Sequence, residues 1–211
     1  MPSQAFNTFN ELIANVDQLV AIHGRVQAGP GRRHEQEALH HAGVVMSIGA
    51  WESYVENVLQ ETIHVLSSQL QGPGGGPAPP WAQLTFAAAM RSVQNKISQF
   101  NTPNAENVKR LFEEGIGFNP WPHWSWLEKR RQWNQREMQV RLNDWLKIRH
   151  GIAHGAGLPA NIAWIKDKNG NPRLNKNLLK ECRSFVARLA RQTDDAMHAF
   201  LVNEYGIVNP W

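Results

Sequence analysis

The stretch DWLKIRHGIAHG, residues 144–155, joins the end of an apolar stripe to a cluster of polar chemistry. Met138, Leu142, Trp145 and Leu146 recur at intervals of three and four, the period of a helix with one face turned to a core. Arg149 continues that face. His150 and His154 follow, with Gly151 and Gly155 beside them. The spacing predicts a helix over about 127–150. On an ideal helix Arg149 and His154 stand about 140° apart. The glycines are therefore read as a place where the backbone bends or ends, so that both side chains converge on one point.

Helical periodicity fills most of the remaining chain. Phe6, Phe9, Leu12, Ile13, Val16, Leu19 and Val20 predict a helix over 4–23. AGPGRR, 28–33, reads as a turn. A long helix over about 34–71 carries Ala38, Ala42, Val45, Ile48, Val55, Leu59, Ile63 and Leu66. Glu52 falls among these positions. It either reaches water at the stripe's edge or is a buried partner for an arginine, since a buried carboxylate needs pairing.

GPGGGPAPP, 72–80, reads as an exposed loop between helices or a boundary between subdomains. Phe86, Met90, Val93, Ile97 and Phe100 resume the period over 84–100. Thr102 as N-cap, Pro103 at N1 and Gly115 at C′ bracket a short helix burying Val108, Leu111 and Phe112. FNPWPHWSW, 118–126, is irregular; its tryptophans either plug a gap between helices or stack bases, and His123 reads as a surface residue. The Asn-Gly in 161–175 allows a hairpin or a plain loop. Leu178, Cys182, Phe185, Val186, Leu189, Met197 and Phe200 predict a last helix over about 176–203, which Thr193 interrupts. No run reads as a convincing strand. The expected class is all-α, a compact helical bundle with an irregular Trp/Pro-rich segment, in one domain over 1–211.

Composition bounds the chemistry. The 211 residues suffice for one core, and 22 Lys and Arg against 18 Asp and Glu permit a polyanionic partner without demanding one. One cysteine, Cys182, excludes an intramolecular disulfide and reads as core. The N-terminal residues lack a signal-peptide pattern, and no run approaches the ~18 apolar residues of a membrane span, so a cytoplasmic location without a membrane partner is expected. The phosphate-cradling glycine loops and the GxSxG elbow are missing. His150 and His154 have the i, i+4 spacing of a helical metal site, but Gly151 stands where a zincin has Glu; adjacent His40 and His41 point to different helix faces. No metal and no cofactor are expected.

Arg149 and His154 suit metal-free RNA cleavage. Arg offers a permanent planar cation for phosphate oxygens, and an imidazole can move the proton of an attacking ribose 2′-OH. Spacing alone leaves a plainer alternative open, in which Arg149 pairs with a core carboxylate and His154 caps a helix.

DWLKIRHGIAHG resembles the signature of the HEPN superfamily, an Arg followed by four to six residues and a His, often written RNxxxH and continuing as AHG. Arg149, Ala153, His154 and Gly155 match; His150 stands at the polar position usually held by Asn. WESYVENVLQE (51–61) and TPNAENVKRLFEEGIG (102–117) resemble the RiboL-PSP-HEPN-like branch. The resemblance implies a homodimer with facing Arg–His motifs and a metal-independent endoribonuclease acting on RNA. It implies a toxin–antitoxin or phage-defence setting, with an antitoxin or defence protein as a further partner. Arg149 and His154 would be the catalytic pair, with His150 at the motif's polar position; Glu52 is added from the helix stripe as auxiliary. Two other readings stand beside this one: a catalytically silent HEPN module binding RNA or protein, and a His-ligated metalloenzyme.

Overall fold

In the computed structural model, residues 1–25, 36–70, 78–128 and 131–211 are described. The expected turn at 28–33 and residues 72–77 of the expected Pro/Gly loop lie outside them. Among the described residues six α-helices carry the fold: α1 (Gln4–Arg25), α2 (Glu37–Ser68), α3 (Pro80–Ser98), α4 (Ala105–Ile116), α5 (Gln135–Ala153) and α6 (Lys176–Tyr205). No described helix is long and apolar enough to cross a membrane.

The centre is α2, which packs against α1, α5 and α6. It buries residues on more than one side, including Val44, Ile48, Trp51, Tyr54, Val55, Val58 and Leu59. Its first turns depart from the expected stripe. His40, Gly43, Val44 and Ser47 are buried there, while Ala38 and Ala42 are exposed. The cause is the approach of α6: a Cβ on Gly43 would stand 2.5 Å from Leu179 Cδ1, so the small residue faces inward. Cys182 is fully buried in the same layer, as expected, and burial pushes its thiol pKa up.

Polar groups join three elements in this core. Asp194 of α6, 2% exposed, accepts from the Ser3 backbone N–H (3.1 Å), the Ser3 hydroxyl and the Tyr54 hydroxyl (3.3 Å). Burial raises the Asp194 carboxyl above the ordinary range despite these donors. Trp51 donates to the Pro103 carbonyl at 3.1 Å, and fully buried Trp124 donates to the Thr193 hydroxyl at 3.0 Å. Trp124 meets Trp51 edge-on at 6.1 Å. The interruption that Thr193 makes in the α6 stripe is thus a buried hydrogen bond, and Trp124 packs rather than presenting its ring to solvent. His123 is exposed and stacks on Phe118.

Helix ends differ from expectation in two places. The short fourth helix is capped by Asn104, whose side chain accepts from Asn107 N–H at 2.8 Å; Thr102 and Pro103 precede it. It ends at Gly117, in the left-handed region (φ +75°), rather than at Gly115. Ahead of α5, the expected helical start at 127 is instead a small antiparallel hairpin, β1 (Trp126–Glu128) with β2 (Arg131–Trp133), pairing Trp126 opposite Trp133. Then Asn134 and Glu137 form a capping box that starts α5. In 161–175 a short 3₁₀ turn (Ala163–Ile165) precedes a turn closed by one isolated bridge, Lys166 to Pro172.

Candidate nucleic-acid site at the end of α5

The last turns of α5 split the motif between two surfaces. The helix runs unbroken through Gly151 to Ala153, with His154 as its C-cap, so the expected break between Arg149 and His154 is not there. The chain turns at Gly155, φ +68°, after the histidine. Arg149 and His154 therefore stay about 140° apart around the axis and do not converge within one chain.

Gly151 serves a different purpose. A Cβ at this position would stand 2.1 Å from the Gly157 carbonyl oxygen. The loop after the helix folds back onto α5 here, and Ala156 N–H donates to the Gly151 carbonyl at 3.0 Å. Further along, Trp164 meets Trp145 at 4.7 Å and donates to Asp144 at 3.1 Å. The Arg141 guanidinium lies 3.9 Å over the Trp164 ring. These contacts fix the returning loop against the helix that carries the motif.

On the side toward α2, Arg149 Nη2 reaches Glu52 Oε2 at 3.4 Å. Their side chains are 29% and 18% exposed, so Glu52 both borders solvent and pairs with the arginine. Burial raises the Glu52 carboxyl above its ordinary range, and the Arg149 charge offsets only part of that. Glu56, one turn along, is raised by its own burial and by the charge of Glu52. Arg149 Nε is buried and has no hydrogen-bond partner among the described residues. One carboxylate orients the guanidinium, and the part of the side chain that remains exposed, 29%, is what could donate to an oxyanion.

On the other surface, His150 and His154 are exposed, with ring centroids 4.2 Å apart. Their face continues back through Lys147 and Asn143. These four positions lie within about 60° of one another around an ideal helix, with Arg149 at least about 100° away. A cleft of about 720 Å³ adjoins this face, walled by Leu146, His150 and the returning loop at Leu158 and Pro159. Among the described residues no group of three or more His, Cys, Asp or Glu is placed to hold a metal ion.

Sequence reasoning singled out Arg149, His150, His154 and Glu52; the structure adds Lys147, Asn143 and the cleft on the face of the two histidines. The i, i+4, i+7, i+11 spacing of 143, 147, 150 and 154 was the available signal.

Among the described residues, five helices pack around a central α2 in an all-α bundle, and an Arg–His segment closes α5. The family model for RiboL-PSP-HEPN matches residues 6–199, and the chain belongs to that family. No curated protein and no solved structure gives a significant match. Membership supports a role in RNA cleavage or RNA binding.

Proposed function

We propose that the chain is a metal-independent endoribonuclease that acts as a homodimer, folded as one domain over residues 1–211. The observation that carries this reading is the division of the motif: a partly exposed guanidinium oriented by a carboxylate on one side of α5 and an exposed imidazole pair on the other. Two copies facing each other would bring the Arg149 of one chain toward the His154 of its partner.

In such a cleft one His154 takes the proton from a ribose 2′-OH as that oxygen attacks the adjacent phosphorus. The bond from phosphorus to the 5′-oxygen breaks, and the second His154 returns a proton to the leaving oxygen. Arg149 stabilises the charge that gathers on the non-bridging oxygens. The products carry a 2′,3′-cyclic phosphate and a 5′-hydroxyl. DNA, lacking the 2′-OH, is not cut. His150 stands near enough to His154 to share the proton transfer or to orient the phosphate, and Glu52 positions Arg149. A toxin or phage-defence role, restrained by a partner protein, and a cytoplasmic setting complete the reading.

The test is incubation of RNA with purified protein in excess EDTA, beside Arg149→Ala and His154→Ala variants. Cleavage that persists in both variants, or that the chelator abolishes, overturns the proposal. A second reading, a silent RNA- or protein-binding module, is favoured by one observation: Arg149 already has a carboxylate partner at 3.4 Å. Cyclic-phosphate products from the wild type and none from the His154 variant exclude it.

A further inference from the structure

The cleft beside His150 has no part in the mechanism above. Its volume, about 720 Å³, lies within the ~300–1,000 Å³ span of small-ligand sites. Its walls are mixed in a particular way. Leu146, Leu158 and Pro159 supply apolar surface, Thr102 a hydroxyl, and Lys147 and His150 charge and imidazole at the mouth. Lys147 is exposed, and its ion pair to Asp144, at 3.5 Å, is a loose i, i+3 contact. Apolar walls suit the faces of a flat ring, while a lysine and an imidazole at the rim suit a phosphate. The back wall is held firmly. Asn143 accepts from Ala105 N–H at 3.1 Å, tying α5 to α4, and the Gly157 carbonyl rests against Gly151.

We infer that this cleft seats one nucleotide of a single-stranded RNA, with the base between Leu146 and Pro159 and its phosphate on Lys147 and His150, so that the next phosphodiester lies at His154. The strip from Lys147 through His150 to His154 then tracks a strand along α5. The inference rests on the ribonuclease reading for the identity of its ligand, yet it concerns binding and can fail separately. It gives His150 a concrete role, holding the phosphate beside the reacting one, at the position where the family's usual motif has Asn.

The probe is a fluorescent single-stranded RNA, 2′-O-methylated throughout so that it cannot be cut, titrated by anisotropy over a range of salt. Ala160→Trp fills the cleft from an exposed wall position, and Lys147→Gln removes the rim charge from another exposed position. Ala160→Trp should weaken binding by about tenfold, in the range of one lost base-stacking contact. Lys147→Gln should flatten the slope of log K against log salt by about 0.7. Circular dichroism should show unchanged helicity in both. Wild-type affinity and slope in both folded variants overturn the inference, even if unmodified RNA is cleaved. Wild-type protein that binds the probe with these dependences but leaves unmodified RNA intact upholds the cleft and overturns the ribonuclease reading alone.

Discussion

Arg149 of α5 and Glu52 of α2, 97 residues apart in sequence, meet at 3.4 Å. Glu52 holds Nη2 of the guanidinium, and the side chain stays partly exposed. If this contact orients Arg149 for catalysis, its loss should cost rate more than stability. Glu52→Ala should lower unfolding free energy by about 1 kcal/mol or less, the scale of partly exposed pairs. Cleavage should fall by up to about 10²-fold, the scale of a misplaced catalytic group. Glu52→Gln keeps an acceptor and should restore most of the rate. Equal loss in the Gln and Ala variants would rule out the positioning role. Arg149→Lys should not substitute, because an ammonium lacks the planar fork.

The two histidines should separate kinetically. His154→Ala should reduce single-turnover cleavage by about 10²–10⁴-fold, the range for losing a general acid or base. His150→Ala should raise the RNA concentration needed for half-maximal rate while changing the saturated rate less. The reverse ranking would make His150 the proton-transfer group.

Gly151→Ala should be strongly destabilising even though Ala favours helices, because the added methyl meets a backbone carbonyl at 2.1 Å and no rotamer change relieves it. A loss of about 3 kcal/mol is expected for such overpacking, a fall in Tm on the order of 10 °C for a chain this size. Thermal melts by circular dichroism measure it. A melt at the wild-type temperature would mean that the returning loop does not pack tightly on α5.

Asp194 makes stability depend on pH. Its folded-state pKa is raised by burial, so the folded chain binds its proton more tightly than the unfolded chain does. As pH rises from the unfolded value of about 4, the native state resists ionisation and stability falls until the folded pKa is passed. The wild type should therefore lose stability relative to Asp194→Asn over that interval. Urea denaturation at a series of pH values checks the sign; a wild type that gains on the Asn variant as pH rises contradicts it.

The long elements were legible because their periods are long. Helices α1, α2 and α6 each carry several turns of apolar residues, and Glu52 stood out as a charge within such a run. The strand pair Trp126–Glu128 with Arg131–Trp133 was not legible, since three-residue strands are too short to display a period of two. Its Trp126 and Trp133 read instead as part of a helix and a packing cluster. Asn134 and Glu137, three apart, were a start signal for α5 that the running apolar count overrode. The role of Gly151 depends on a carbonyl six residues away in the returning loop, a contact that no local pattern encodes. For the same reason the cleft was invisible: its walls come from α5, from the segment at Thr102 and Asn104, and from a loop whose course is set by Trp164 packing on Trp145.

The unbroken course of α5 through Gly151 has a cellular consequence if the proposed chemistry holds. A lone chain would carry only half of a cutting site, with its arginine and its imidazole turned to opposite quarters. At low abundance, activity would rise with the square of the number of copies. A modest change in expression, or a protein that sequesters single chains, would then act as a steep throttle without any moving part inside the fold.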